Sequence, residues 1–369
     1  MKRTRYGRIA AIVTAGALAL TACGNDPVAD SGSNSSGGGD TATESDLSGK
    51  LAGSGATSQQ SAQEVWIAKF GEQNPDVDLS YDPVGSGGGR KAFLDGGAAF
   101  AGSDSALKDE ERTSAKTRCA GGEAYELPLY ISPIAVVYNL PNVKDLQLTP
   151  SNVAKIFDGK ITKWNDPALV ADNPNAQLPD SNITPINRSD ESGTTANFTD
   201  YLAKTAKADW PYPSSGNWPK QGTQSAQGTS GVVQAVQGGE GTIAYADHSQ
   251  AGKLGVAKIK VGDKFVEPTA DGAAKVVEES PQVSGLAEHD LALDLKRDTT
   301  TAGAYPLLLV SYIVVCSKYE DAEQGKLVKA YVGYIASEDG QKAAADEAGS
   351  APISDSLRTK VESALDAIK

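Results

Sequence analysis

Hydroxyl groups, glycines, one carboxylate and one guanidinium occur in four segments of the sequence that follow predicted strands. These segments carry Thr57 with Ser58, Ser86, Asp104, and Arg188 with Ser192, Gly193 and Thr194. Three of them lead into helical patterns, and the first turn of a helix presents unpaired N–H groups and a partial positive charge. Hydroxyls and an Arg at such positions would bind an oxyanion. A Ser or Thr before a helix is usually only a cap, so the prediction depends on all four segments together.

The predicted elements around these segments alternate between strands and helices. Strands are predicted at 77–81, 98–101, 127–138, 183–186, 241–245 and 305–315, and helices at 62–70, 92–94, 153–157, 198–202 and 327–345. The runs 127–138 and 305–315 are long and apolar, which is typical of buried strands. The alternation predicts an α/β fold, in which ligands bind beyond the ends of the strands.

Length and charge restrict the classes of function. A chain of 369 residues exceeds the size at which one core usually keeps growing, so we expect two domains. The net charge of −13 repels nucleic-acid phosphates over a Debye length. We therefore expect no nucleic-acid partner.

The first residues indicate export and anchoring. Basic residues precede an uncharged run at 9–20, which is too short to span a bilayer comfortably. The run ends in Leu20-Thr21-Ala22-Cys23, which resembles a bacterial lipobox and predicts lipidation of Cys23. The alternative is an ordinary secretory signal with an incidental Cys. The segment 24–44 is rich in Gly, Ser, Asp, Asn and Thr and is predicted to be a flexible tether.

If Cys23 carries lipid, Cys119 and Cys316 remain as an even pair in an exported protein. This favours a disulfide between them. The alternative is two separate thiols, with Cys316 buried in the apolar strand, because a sequence does not report the distance between two residues.

The four segments together resemble the phosphate-binding proteins of high-affinity bacterial phosphate importers. The most specific match is Arg-x-Asp-x-Ser-Gly-Thr, present as Arg188-Ser189-Asp190-Glu191-Ser192-Gly193-Thr194. Gly-Ser-Gly-Ala-Thr at 53–57, Gly85-Ser86 and Ser103-Asp104 also follow the order of the family. The resemblance spans nearly the whole mature chain.

This resemblance implies a two-lobed periplasmic-binding-protein fold of type II, in which each lobe is a mixed sheet flanked by helices and two strands form the hinge. The implied division is a signal peptide at 1–22, the lipidated Cys23 and tether at 23–46, lobe 1 at 47–127 and 305–369, and lobe 2 at 128–304. It also implies a monomeric, non-enzymatic protein without a cofactor. Such a protein binds inorganic phosphate and delivers it to the permease subunits of an ABC importer. Its lipid holds it on the outer face of the cell membrane, or in the periplasm where an outer membrane exists.

The resemblance also implies a role for each site residue. Arg188 would bind two phosphate oxygens, and Asp190 would orient the guanidinium through a salt bridge. In lobe 2, the start of one helix would supply the phosphate donors Ser192, Gly193 and Thr194. In lobe 1, the starts of two helices would supply Thr57, Ser58 and Ser86.

Asp104 is the unusual member, because it places a carboxylate against an anion. An ionised Asp only accepts hydrogen bonds, so it can take the O–H of hydrogen phosphate. Sulfate at neutral pH has no such proton, so one of its negative oxygens would face the negative carboxylate of Asp104 and be repelled. The alternative role for Asp104 is a helix cap or a solvated loop acid.

Three positions depart from the usual pattern of the family. Ser58 stands where an aromatic residue is common, Gly87 where a second Ser is common, and Glu191 where Gly is common. Glu191 would weaken phosphate affinity if its charge pointed inward.

Other functions receive less support. A sulfate- or molybdate-binding protein of the same fold is the closest rival, and Asp104 argues against it. Ser105 and Lys108 have the Ser-x-x-Lys spacing of acyl enzymes, but no Lys-Thr-Gly partner follows. A metal-dependent phosphatase lacks ligands at the right spacing, since neither His248 nor His289 lies in such a motif. The Trp-rich segment 210–219 is predicted to be an ordered surface loop, with a partner-binding aromatic patch as the alternative.

Overall fold

The structure is a computed structural model, and it describes residues 47–369. The predicted signal peptide, Cys23 and the tether lie outside these residues. In the described range, no helix has the length and apolar character needed to cross a membrane.

Strands and helices alternate along most of the described chain, as the α/β class requires. The strands are β1 (Gly49–Gly55), β2 (Val77–Asp82), β3 (Phe100–Ser103), β4 (Ala124–Tyr138), β5 (Gln147–Leu148), β6 (Thr184–Arg188), β7 (Gln224–Ala226), β8 (Thr242–Asp247), β9 (Gly255–Val256), β10 (Lys258–Val261), β11 (Lys264–Val266) and β12 (Leu308–Cys316). The α-helices are α1 (Gln60–Gln73), α2 (Ser86–Leu94), α3 (Asp109–Arg118), α4 (Pro150–Phe157), α5 (Pro167–Asp172), α6 (Gly193–Thr205), α7 (Gly228–Gln237), α8 (Ala270–Glu279), α9 (Ala322–Ala336), α10 (Glu338–Ala348) and α11 (Asp355–Asp366).

Most strands join one mixed sheet with the order β2-β1-β3-β12-β4-β8-β6-β7, in which β9 also pairs with β4. The pairs of β1 with β2 and β3, and of β6 with β7 and β8, are parallel. The pairs of β12 with β3 and β4, and of β4 with β8, are antiparallel. A second, small sheet contains β11, β10 and β5 and was not predicted.

Strand β4 connects the two halves of the large sheet. Its residues up to Pro133 pair with β12, and its residues from Ile134 to Tyr138 pair with β8. Both β4 and β12 are buried along their whole length, as their apolar sequences predict. We call the half with β1, β2 and β3 lobe 1 and the half with β6, β7 and β8 lobe 2. The two-lobed architecture with a two-strand connection is therefore confirmed, and both lobes belong to one compact unit.

The prediction of one helix at 327–345 is wrong, and helices α3, α5, α7, α8 and α11 were not predicted. The chain forms two helices there, because Ser337 ends α9 and caps α10. Its hydroxyl accepts a hydrogen bond from the N–H of Gly340 at 3.1 Å. A Ser side chain that binds the backbone in this way begins a new helix inside a pattern that is otherwise continuous.

The segment 210–219 is a loop, but its tryptophans are not a surface patch. Trp210 is 1% exposed, and the rings of Trp218 and Phe198 stack with centroids 6.4 Å apart. Trp218 also stacks on Tyr245 at 5.8 Å. The alternative of a partner-binding aromatic patch is wrong, because Trp210 is buried and Trp218 is partly buried against the rings of Phe198 and Tyr245.

Cys119 and Cys316 form a disulfide with a Cα–Cα distance of 5.1 Å, which confirms the favoured pairing. Cys119 directly follows α3, and Cys316 is the last residue of β12. The bond joins residues 197 positions apart and ties the early and late segments of lobe 1 together.

Candidate oxyanion-binding site

The predicted site residues lie at the ends of β1, β2, β3 and β6 and at the helix starts that follow. The strand order places β1 and β3 in lobe 1 and β6 in lobe 2, so the residues meet between the lobes. All of the predicted side chains are buried except that of Asp190, which is partly buried. This is the edge of the sheet at which the sequence predicted a ligand.

Asp104 accepts hydrogen bonds from hydroxyls of both lobes. Ser58 Oγ and Ser311 Oγ each donate to Asp104 Oδ1 at 2.6 Å. From the start of α6, Thr194 Oγ1 donates to Asp104 Oδ2 at 2.9 Å. Three hydroxyl donors directed at one carboxyl favour its ionised form, which accepts only.

Two opposing effects determine the pKa of Asp104. Burial raises this pKa, while the hydroxyls of Ser311, Ser58 and Thr194 and the charge of Arg188 lower it. Burial wins, and the pKa lies above the ordinary value of an Asp. The carboxylate is therefore easier to protonate than an exposed one, and a ligand proton directed at it is held in a strong hydrogen bond.

Arg188 and Asp190 form the predicted bidentate pair. Arg188 Nε donates to Asp190 Oδ1 at 2.8 Å, and Nη2 donates to Oδ2 at 2.5 Å. The N–H of Gly228 also donates to Asp190 Oδ1 at 3.1 Å. Burial opposes ionisation of Asp190, but its bonds to Arg188 and Gly228 prevail and hold the pKa below the ordinary value. This pair uses two of the five guanidinium N–H donors, so three are not committed to Asp190.

The start of α6 approaches lobe 1 closely at Gly193. A Cβ at this position would lie 2.6 Å from Asp104 Cβ and 2.6 Å from Ser86 Oγ, so only glycine fits without a shift. The preceding residue, Ser192, caps α6 by accepting from the N–H of Thr195 at 3.2 Å. The first turn of α6 therefore faces the same space as Asp104.

The two remaining predicted hydroxyls, those of Thr57 and Ser86, also make contacts within the protein. Thr57 Oγ1 lies 2.9 Å from Thr229 Oγ1 and accepts from the N–H of Thr229 at 3.1 Å. Ser86 Oγ accepts from the N–H of Asp104 at 3.1 Å. Each hydroxyl thus accepts a bond from a backbone N–H and keeps its own proton as a donor, which in Thr57 can go to Thr229 or to a ligand.

Sequence reasoning missed several residues of the site. Asn197 Nδ2 donates to the carbonyl of Asp104 at 2.6 Å and to that of Gly193 at 2.9 Å. Tyr245 OH accepts from the N–H of Arg188 at 3.3 Å. Two signals were available: Asn197 lies one turn after Gly193, and Ser311 is a hydroxyl in an apolar strand.

Glu191 does not point at the site. Its Oε1 accepts from Arg90 Nη2 and from Lys108 Nζ, both at 2.9 Å. The expectation that an inward Glu191 would weaken binding therefore does not apply, because its charge is directed at two cations of lobe 1.

Comparisons with known proteins identify the family of this chain. A family model described as the PBP superfamily domain matches residues 40–339. The phosphate-binding protein PstS 3 of Mycobacterium tuberculosis is 36% identical over 380 aligned positions, and the alignment covers 100% of both chains. The phosphate-binding protein PstS of Xylella fastidiosa is 30% identical, with 85% of this chain and 84% of the relative covered.

Solved structures show the same fold. A phosphate-binding protein from Stenotrophomonas maltophilia superposes with a TM-score of 0.67 at 20% identity, covering 86% of this chain and 94% of the other. A high-affinity periplasmic phosphate-binding protein solved with phosphate superposes with a TM-score of 0.69 at 21% identity, covering 85% and 93%.

Proposed function

This chain belongs to the PBP superfamily and, within it, to the phosphate-binding proteins, and on that premise we propose that it captures inorganic phosphate between its lobes and delivers it to an ABC-type importer. The observation that carries the proposal is the placement of a buried carboxylate, Asp104, beside the start of α6 and the Arg188–Asp190 pair. An acceptor beside such donors suits an oxyanion that still carries a proton.

The proposed ligand contacts divide between cation, helix starts and carboxylate. Arg188 supplies the positive charge and its uncommitted N–H donors, with Asp190 as the residue that orients it. The first turn of α6 supplies Ser192, Gly193 and Thr194, and lobe 1 supplies Thr57, Ser58 and Ser86. Because the hydroxyls of Ser58 and Thr194 donate to Asp104, these two residues contribute their backbone N–H groups at the helix starts. Asp104 accepts the phosphate O–H and rejects a fully deprotonated oxyanion.

Binding is proposed to proceed by closure of the two lobes. The proposed boundaries are 47–127 and 305–369 for lobe 1 and 128–304 for lobe 2, and the change of partner within β4 supports a hinge in this strand and in β12. Contacts to phosphate from both lobes favour the closed form. Permease subunits would recognise that form.

We also propose that the protein is a monomer held by lipid on Cys23 at the outer face of the membrane. The lipobox-like Leu20-Thr21-Ala22-Cys23 and the polar segment after it support this anchor.

A serine acyl enzyme is a weaker candidate. Lys108 directs its ammonium to Glu191, and Ser105 Oγ accepts from Arg90 Nη1 at 3.0 Å. Among residues 47–369, neither side chain contacts the partner that nucleophilic catalysis would need.

Titration calorimetry of residues 47–369 with phosphate and with sulfate tests the proposal. We expect tight binding of phosphate and far weaker binding of sulfate. Equal affinity for both anions, or no phosphate binding, would contradict the proposed function. Release of phosphate from phosphate monoesters by the protein would identify it as a hydrolase instead.

A further inference from the structure

Glu191 forms an ion-pair cluster that bridges the two lobes. It lies in lobe 2 between Asp190 and the α6 cap Ser192, so it is close to the proposed phosphate contacts in sequence. Its partners, Arg90 on α2 and Lys108 before α3, belong to lobe 1. The two ion pairs therefore exist only while the lobes are together.

Arg90 is held in place by lobe 1 itself. Its side chain is 2% exposed, and its Nε donates to both carboxylate oxygens of Glu111 at 3.0 Å. Its Nη1 donates to Ser103 Oγ at 3.1 Å and to Ser105 Oγ at 3.0 Å. One edge of a buried guanidinium is thus fixed, and Nη2 is directed at Glu191 with little loss of side-chain entropy on closure.

The charge on Glu191 is retained in this position. Burial opposes ionisation, but the hydrogen bond from Lys108 and the charges of Arg90 and Lys108 keep the pKa below the ordinary value of a Glu. The side chain is one-third exposed, so opening of the lobes would return it to water, whereas Arg90 would keep Glu111.

Glycine at position 87 leaves room for the Glu191 side chain. A Cβ at Gly87 would lie 2.7 Å from both Cβ and Oε2 of Glu191. The N–H of Gly87 donates to the carbonyl of Glu191 at 3.1 Å, which adds a backbone bond between the lobes. The two residues are therefore sterically coupled, since a side chain at position 87 excludes the observed position of Glu191.

We propose that Glu191, with Arg90, Lys108 and Gly87, is an interlobe latch that stabilises the closed form and slows release of the bound anion. This proposal rests on the proposed phosphate-binding function. Interactions made only in the closed form raise the apparent affinity by shifting the open–closed equilibrium, without any contact between Glu191 and phosphate. The effect appears mainly in the dissociation rate, because the latch must break before the ligand leaves.

Stopped-flow release of phosphate from residues 47–369 measures the latch directly. Glu191→Gln keeps the shape of the side chain and removes its charge, and we expect release about 3- to 30-fold faster, since a pair with one buried partner is lost. Lys108→Met removes the more exposed pair and is expected to speed release about two- to fivefold. In the double variant the two effects should not add, because Lys108 acts through Glu191.

Lys91→Met is the matched control. Lys91 lies next to Arg90 on α2 and pairs with Asp95, the residue directly after that helix, and both side chains are largely exposed. Lys91→Met changes the net charge by the same amount as Lys108→Met but breaks no interlobe contact. Its phosphate release rate should therefore stay within about 1.5-fold of wild type.

A steric test is independent of charge. Gly87→Ala should speed release in the wild-type background, because the new methyl displaces Glu191. In a Glu191→Gly background the same change should have almost no effect. Equal effects in both backgrounds would mean that the two positions are not coupled and would overturn the latch.

The outcomes separate the latch from the function on which it rests. Slow phosphate release from wild type and fast release from Glu191→Gln, at an unchanged melting temperature, would support the latch. Slow release from both would overturn the latch and leave the proposed function intact. No phosphate binding by wild type would overturn both.

Discussion

Thr194 at the start of α6 donates its hydroxyl to Oδ2 of Asp104 at the end of β3, across 2.9 Å and 90 positions of sequence. This bond joins lobe 2 to lobe 1 at the centre of the proposed site. It positions a carboxylate, which by itself would repel anions, where hydroxyl donors hold it in one orientation. The selectivity for phosphate and the closure of the lobes thus both depend on Asp104.

Asp104→Asn tests selectivity. Asn also donates hydrogen bonds, so it can face an unprotonated oxygen. We expect phosphate affinity to fall by about tenfold and the preference for phosphate over sulfate to fall by at least about 100-fold. A buried polar group that one ligand pairs and another leaves unpaired discriminates strongly between the two ligands, and Asn would remove that difference. Calorimetry with both anions measures this, and Asp95→Asn on the exposed end of α2 is the control. Unchanged selectivity would remove the role assigned to Asp104.

Arg188→Ala should reduce phosphate affinity more than any other single change in the site. It removes the positive charge and leaves Asp190 without its partner, and the expected loss of phosphate-binding free energy is about 2–5 kcal/mol. Arg188→Lys keeps the charge without the planar fork and should give an intermediate affinity. If Lys binds phosphate as tightly as Arg, bidentate contact is not required.

Gly193→Ala should weaken phosphate binding by at least about tenfold. The new methyl would lie 2.6 Å from Asp104 Cβ and must push α6 away from lobe 1. Gly71→Ala on α1 is the matched control, because a Cβ there meets no atom within 4 Å. Affinity is measured by calorimetry and folding by thermal unfolding. Normal affinity in Gly193→Ala would show that the close approach is not needed.

Asp247 should make the folded protein less stable as pH rises. Burial raises its pKa to about 7, and the hydroxyls of Ser249 and Ser132 only partly offset this. The folded state therefore binds more protons than the unfolded state between the ordinary Asp pKa and about 7, and the free energy of unfolding decreases as pH rises through that window.

Urea unfolding at pH 5 and pH 7 measures the contribution of Asp247. Replacement by Asn removes the titrating group, so the pH-dependent decrease in stability should shrink by about 2 kcal/mol. An identical decrease in wild type and variant would show that other groups account for it, such as Glu126 on β4, whose pKa is also raised by burial.

Removal of the disulfide should lower stability without affecting the site. The bond closes a loop of 197 positions, for which chain entropy gives up to about 5 kcal/mol, with about 2–4 kcal/mol typical. The double variant Cys119→Ala/Cys316→Ala avoids a lone thiol. Urea unfolding should show the loss, while phosphate affinity should change less than about twofold, because neither cysteine contacts a predicted site residue. A large loss of affinity at low urea would contradict this separation.

The order of the site segments could be predicted from the sequence because helix starts are local features. Ser192 caps α6 three residues before Thr195, and the Arg188–Asp190 pair spans two positions, so both leave a short pattern. The buried strands β4 and β12 were predicted because a strand covered on both faces is apolar at nearly every residue. The break between α9 and α10 was missed because one Ser ended a helix inside a continuous periodic pattern.

The sequence by itself determined the α/β class, the predicted export signal and the residue types of the site, because periodicity, charge and helix caps act over a few neighbouring residues. Only the tertiary structure decided which groups meet. Ser311 reaches Asp104 across 207 positions, and Glu191 finds Arg90 across 101 and Lys108 across 83. The direction of the Glu191 side chain follows from the buried guanidinium facing it, and no short-range pattern in the sequence encodes that partner.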